Sequence, residues 1–586
     1  MLRHPSRRTF VKGFAAASTL AGLGLWRLPA FAASTPLGNE LAGRDFELFI
    51  GQTPVNITGR PRTALTINNS LPGPVLRWRE GDTVTLRVRN RLDEPTSLHW
   101  HGIILPANMD GVPGLSFAGI EPGGDYLYRF TLQQSGTYWY HSHSGLQEQA
   151  GVYGAIVIEP KEPEAHRYQR DYVLLLSDWS DQAPDELMAT LKKQSDAFNY
   201  HKRTVGDFID DVAMHGWSKT VAERKGWAQM RMSPTDLADI SAATYTYLLN
   251  GQPPDGNFTC LFQPGETVRL RLINGSAMSY FDFRIPGLKL TVIAADGMPV
   301  HPVTVDELRI AVAETYDVLV EVGDLPAYTL YAQSMDRTGY ARGTLARSNG
   351  LSAPVPTPDP RPDLTMADMG HGGMDAMGGM DHGKMGGMTA MAGMDHSKMG
   401  GMEGMDHGAM TGMQTHPASE TDNPLVDMQT MSPRPNLADP GIGLRNNGRR
   451  VLTYADLKST FADPDGREPS REIELHLTGH MERFAWSFNG IKFSDAEPLR
   501  LTYGERLRIT LVNDTMMAHP IHLHGLWSDL EDEHGRFQVR KHTLDIPPGS
   551  RRSYRVSADA LGRWAYHCHL LYHMEMGMFR EVRVDE

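Results

Sequence analysis

Cysteine is nearly absent: Cys260 and Cys568 are the only two in 586 residues. At most one disulfide is available, so no disulfide framework can carry the fold. Basic charge is also short, with a net charge of -13, which excludes a general nucleic-acid binder because no basic surface would attract phosphate. No run in the body of the chain is apolar enough to cross a bilayer. Long helical periodicity is scarce, and Gly, Asn and Pro punctuate the chain throughout. What remains, at 40% hydrophobic and 22% charged residues, suits a globular protein of several β-rich domains.

The N-terminus reads "SRRTFVKGFAAASTLAGLGLWRLPAFAA". Ser6-Arg7-Arg8 with Phe10 and Lys12 has the pattern of a twin-arginine export signal, and Ala30-Phe31-Ala32 offers a small-residue cleavage site. The apolar stretch is weak and carries Arg27, so residues 1–32 are expected to be removed rather than to anchor the chain in a membrane. The expected destination is the periplasm.

One strand pattern occurs three times: "GDTVTLRVRN" from Gly81, "GETVRLRLIN" from Gly265 and "GERLRITLVN" from Gly504. Alternating apolar residues lead to Asn90, Asn274 and Asn513, which predicts half-buried strands in repeated antiparallel β-sandwiches. The expected domains cover residues 40–162, 165–345 and 447–586, with a linker over 346–446. Short helices are expected within 181–240, at "DELMATLKKQ" and "SPTDLADI".

The register extends to histidines. His99 and His101 stand eighteen and twenty residues after Gly81, as His522 and His524 do after Gly504. His141 and His143 follow Gly123 at the same spacings, as His567 and His569 follow Gly549. The middle copy has Phe283 and Ile285, then Ala332 and Ser334, at the matching places. Residues i and i+2 of a strand share a face, so each H-x-H pair can aim two imidazoles at one cavity between the first and third copies. Cys568, between His567 and His569, then faces the other way. With His519, His573 and Met578 it makes the two-histidine, one-cysteine, distant-methionine set of a blue-copper centre, whereas structural zinc prefers four strong ligands. Cys260 lies in the apolar run "NFTCLFQPGE" and reads as a buried small hydrophobe.

The motifs "HWHG", "HSH", "HPIHLHG" and "HCHLLYHMEMGM" resemble the four copper motifs of the multicopper oxidases over nearly the whole mature chain. With the export signal, "WSDLEDE" and the Met/His repeats, the resemblance is to the copper-resistance branch of that family. It implies an all-β chain of three cupredoxin-like Greek-key sandwiches that uses four copper ions to reduce O2 to water. It implies a type 1 copper at His519, Cys568, His573 and Met578, and a type 2 copper at His99 and His522. It implies type 3 coppers at His101, His141 and His569, and at His143, His524 and His567. Asp110 in "NMDGVPG" matches an acidic residue near the cluster in relatives, which suggests a proton relay; an Asp-Gly turn is the competing reading. Some relatives carry an acid where this chain has Met574, and Glu575, if on a strand, would face away.

The reductant is less clearly written. Fourteen methionines fall between Met366 and Met413, in a glycine-rich segment expected to be disordered without a ligand. Its repeats hold Met380, His382, Met385, Met394, His396, Met399, Met405 and His407. Thioethers are soft and favour Cu(I); a plain spacer is the competing reading. Met516 and Met517, beside His519, fit a Cu(I) docking site or the core. The expected reductant is Cu(I), with phenols as further reductants in the manner of a laccase, and periplasmic copper-handling proteins are candidate partners. A general phenol-oxidising laccase and a copper store are the alternatives.

Overall fold

The computed structural model describes residues 40–371 and 413–586. The export signal and the repeats from Met380 to His407 lie outside the described residues.

Each copy of the repeated strand sits inside a two-sheet sandwich. Thr83–Asn90 lies in a four-stranded sheet facing a five-stranded one, while Thr267–Asn274 and Arg506–Asn513 each lie in six-stranded sheets facing five-stranded ones. The recurring asparagine has one job in all three. Asn513 Nδ2 donates to the carbonyls of Met517 and Ile546, both at 2.8 Å, while its Oδ1 accepts from Thr515 N. Asn90 and Asn274 hold Ile120 and Ile310 in the same way. An amide with two donors and an acceptor thus ties the strand end, its turn and the opposite sheet together.

The sandwiches are mixed rather than purely antiparallel. Arg170–Ser180 runs parallel to Thr267–Asn274, and Glu472–His480 runs parallel to Arg506–Asn513. Parallel neighbours need a crossover connection instead of a hairpin, and hydrophobic alternation carries no sign of strand direction.

Helices form at Pro184–Lys193, Val205–His215 and Trp217–Gln229. The first has Pro at its start with Asp185 and Glu186 in its first turn, and the second carries a Thr204/Asp207 capping box. "SPTDLADI", expected as helix, is instead a run of turns and bends over 233–240. Leu571–Glu575, a stretch the sequence allows as strand, is a short helix. The flanks of the Met/His segment carry no strand yet pack closely, with Leu364, Met369, Met428, Leu437 and Leu444 buried.

Candidate metal centre

His99–His101 pairs with Gly136–His141, setting His99 opposite His141. His519–Leu523 pairs with Gly562–Cys568, setting His522 opposite His567. The two sheets meet so that the first and third copies interleave their rings. His99 stacks on His524 at 3.9 Å between centroids and His101 on His522 at 3.8 Å. His143 approaches His567 to 5.1 Å, and His141 approaches His569 to 5.0 Å. The structure therefore gathers all eight sequence-selected histidines.

Their outer nitrogens are tied down. His99 Nδ1 donates to the Asp110 carbonyl at 2.8 Å, His522 Nδ1 to the His542 carbonyl at 2.6 Å and His567 Nδ1 to the Cys568 carbonyl at 2.9 Å. His524 Nδ1 donates to Asp110 Oδ2 at 2.9 Å, and His141 Nδ1 meets Glu148 Oε2 at 2.6 Å. A carbonyl can only accept, so these rings carry hydrogen on Nδ1 and present a lone pair at Nε2. His101 is reversed: its Nε2 lies 3.2 Å from Thr543 Oγ1 and its Nδ1 is free. Nε2 of His99, His141, His143, His522 and His569, with Nδ1 of His101, is buried without a hydrogen-bond partner. Burial first, then neighbouring imidazoles, hold His101, His141, His143, His522, His524 and His569 well below the usual histidine range. Neutral, unpartnered, converging lone pairs are what a cluster of cations requires, so these residues fit copper.

Glycine makes the approach possible at two places. At Gly102, after His101, φ is +78° and a Cβ would meet His542 Cδ2 at 2.4 Å. At Gly111 φ is +87° and a Cβ would fall 1.8 Å from the Leu98 carbonyl oxygen. Both readings of Asp110 thus have a physical footing, since it starts this turn and its carboxylate touches His524.

A second donor group lies on the opposite face of the same strand. Cys568 Sγ is 3.4 Å from His519 Nδ1 and 3.9 Å from His573 Nδ1, and these two nitrogens are 3.2 Å apart. Far nitrogens are again fixed, His519 Nε2 by Thr515 Oγ1 at 2.7 Å and His573 Nε2 by Asp239 Oδ2 at 2.8 Å. Trp486 stacks on His573 at 3.8 Å. Burial pushes the Cys568 thiol well up, so a thiolate here needs a cation beside it. Met578 is fully buried, and its backbone pairs with Cys568 N and with the His573 carbonyl. Met516 and Met517 are both buried; Met516 lines a cavity of about 250 Å³ with Ala518, Tyr280, Met335 and Asp545.

Sequence reasoning passed over several of these supports. Asp239 lies in the stretch expected as helix, with a left-handed φ of 54°, a backbone state that aspartate tolerates better than most residues. Glu148 is buried, and desolvation first, with Asp178 nearby, raises its carboxyl well above the usual range. His542 borders the cluster, 3.2 Å from His101 Nε2, and follows buried Lys541, which pairs with Asp296 at 3.0 Å. None has a spacing signal, because each reaches the site from a loop or from another copy.

Three family models, each described as multicopper oxidase, match residues 50–163, 170–350 and 466–586. Copper resistance protein A of Pseudomonas syringae pv. tomato is 71% identical, covering 99% of each chain. Copper resistance protein A of Escherichia coli is 67% identical, covering 100% of each. Among solved structures, Fet3p, described as a multicopper oxidase that functions in iron import, superposes with a TM-score of 0.63 at 19% identity, over 93% of this chain and 91% of that one. A laccase from Botrytis aclada gives a TM-score of 0.62 at 21% identity, over 93% and 88%.

Proposed function

The chain belongs to the multicopper oxidases, so it is a copper-dependent oxidase with O2 as acceptor, and from that premise we propose that it oxidises Cu(I) in the periplasm as part of copper resistance. The observation that carries the reading is the strand ending at Cys568. It presents His567 and His569 to one donor group and Sγ to another, within three consecutive residues.

In this reading His519, Cys568, His573 and Met578 hold a type 1 copper, and His99 and His522 a type 2 copper. His101, His141 and His569 hold one type 3 copper, and His143, His524 and His567 the other. Copper held by these residues would supply the one-electron chemistry by which four electrons reach O2. The balance is four Cu(I), one O2 and four protons to four Cu(II) and two waters. The protein's own part is to hold the donors rigid and neutral, to exclude bulk water by burial and to handle protons. Asp110 is suited to the last task, because its carboxylate accepts from His524 at 2.9 Å while its carbonyl fixes His99. Glu575 lies beyond His573 on the short helix, and we assign it no proton role.

Cu(I) is favoured over phenols by the soft Met/His repeats and by Met516 and Met335, which line a cavity with Ala518, the residue before His519 in sequence. The names of the similar copper-resistance proteins support the role in copper resistance. Periplasmic delivery rests on the twin-arginine pattern Ser6-Arg7-Arg8 with Phe10 and Lys12; among the described residues no helix is long and apolar enough to cross a membrane.

Oxygen uptake with Cu(I) and with a phenol tests the reading. Sustained uptake at one O2 per four Cu(I) is expected. Turnover with the phenol alone would move the protein to the laccases, and copper binding without uptake would make it a store. Removing residues 372–412 should lower Cu(I) stoichiometry and leave phenol oxidation intact. That cut spares Met369, which is fully buried, and Met366, which packs against Gly226.

A further inference from the structure

A second histidine–carboxylate cluster lies outside both donor groups described above. His416 follows the Met/His segment, His476 sits on the strand Glu472–His480, and Glu420 and Asp514 face them. His476 Nδ1 is 2.7 Å from Asp514 Oδ2 and 3.6 Å from Glu420 Oε1. His416 Nδ1 is 3.2 Å from Glu420 Oε2 and 3.3 Å from Asp514 Oδ2. Both carboxylates have 0% side-chain exposure, His476 has 1% and His416 14%.

The far nitrogens decide what the near ones can do. His416 Nε2 faces the Thr430 carbonyl at 2.9 Å and must donate to it. His476 Nε2 donates to Glu474 Oε1 at 3.2 Å, a carboxylate that Arg551 pairs at 3.0 Å. A neutral ring so tied turns a bare Nδ1 lone pair toward carboxylate oxygens, which repel it. Two states relieve this: both rings doubly protonated, or a cation among the four donors. Burial opposes double protonation, but Asp514 and Glu420 outweigh it, raising His476 above the usual histidine range and His416 to about 10. Even so, Glu420 Oε1 is left with no hydrogen bond and only the 3.6 Å approach of His476 Nδ1, since Gln429 reaches only Oε2, at 3.1 Å. A cation satisfies every donor at once. Four ligands around a tetrahedral ion lie about 3.4 Å apart, close to the spacings here. Rings whose outer N–H groups are held by a carbonyl and a carboxylate have the support that ligating histidines receive. Two buried carboxylates also balance a dication.

We propose that His416, His476, Glu420 and Asp514 form a binding site for a divalent d-block cation, zinc or cupric copper, separate from the oxidase coppers. Two imidazoles and two carboxylates are borderline-to-hard donors, which disfavours Cu(I). The ion would staple the return limb of the Met/His segment to the loop that supports His519. Asp514 Oδ1 accepts from Thr430 N at 2.6 Å, and the adjacent Thr515 holds His519 Nε2 at 2.7 Å.

The test uses full-length, copper-loaded protein equilibrated with Zn(II) in air, desalted and assayed for metal by mass spectrometry. His416→Gln and Glu420→Gln should each retain one equivalent fewer of zinc and copper combined than the unmodified chain. The visible thiolate–copper band should be unchanged, as the sign of an intact fold. Equal summed zinc and copper in all three, with the band intact, overturns the site. X-ray absorption of the zinc in the unmodified protein needs no variant: two imidazoles with two oxygens are expected, and sulfur ligation or an all-imidazole shell overturns it.

Discussion

Where the first and third copies carry His99, His101, His522 and His524, the middle copy carries Phe283 and Ile285, both buried at 1% exposure. The strands still pair in the same way, with Phe283 opposite Ala332 as His522 is opposite His567. The sandwich therefore does not depend on imidazoles at these places. What they need is a facing copy with its own pairs, and only the first and third copies supply that. The middle copy contributes carboxylates instead. Asp239 holds His573, and Asp296 Oδ2 accepts from the backbone N–H groups of His542 and Thr543, both at 3.1 Å.

The largest expected effect lies at the boundary between the two donor groups. Cys568→Ser should lose the intense visible thiolate–copper band and reduce oxidation to assay background while the fold survives. His101→Ala should keep the band and lose O2 reduction. Spectra and an oxygen electrode read both, and a blue Cys568→Ser protein would break the assignment.

Asp282 marks the middle copy's different solution. It is fully buried between Arg309 at 2.7 Å and Arg337 at 2.5 Å. Asp282→Asn should cost about 3–5 kcal/mol, because it leaves the buried Arg337 and partly buried Arg309 guanidinium groups short of charge. Burial opposes ionisation of Asp282, but Arg309 and Arg337 outweigh it and hold its carboxyl below the usual range. The unfolded value is about 3.9, so the contribution is fully present above that pH and is lost as pH falls through the lower folded value. Urea midpoints across acid pH should fall less steeply in Asp282→Asn than in the unmodified protein.

Phe283→His asks whether a histidine alone makes a site. It should lower stability by about 2–4 kcal/mol, through lost packing and an unpaired buried polar group, and add no copper. Extra copper bound by this variant would contradict the need for a facing copy. The smallest effect is expected at Asp239→Ala, about 10–100-fold in copper affinity or activity, by freeing the His573 ring. An unchanged band position and unchanged copper affinity would reduce Asp239 to a spectator.

The eight histidines, Cys568, His519 and His573 were legible because strand alternation and an internal repeat convert spacing into direction. Asp239 was not, since its stretch mimics a helix start in sequence and folds as turns. The setting of Glu575 was not legible, because the strand gives way to a helix at Leu571 and a five-residue helix leaves too short a pattern to see. The cluster of His416, Glu420, His476 and Asp514 had no periodic signature at all.

The sequence by itself determined the repeated sandwich strands, the faces on which each H-x-H pair points and the opposed direction of Cys568, because these follow from a period of two along one strand. Only the tertiary structure decided which nitrogen each ring presents, which carboxylates hold the rings and how the middle copy serves a site it does not line with histidines. Those contacts join residues as far apart as Asp110 and His524, or Asp239 and His573. Local pattern cannot specify them, since hydrogen bonds between distant segments depend on how whole sheets pack and not on any spacing along the chain.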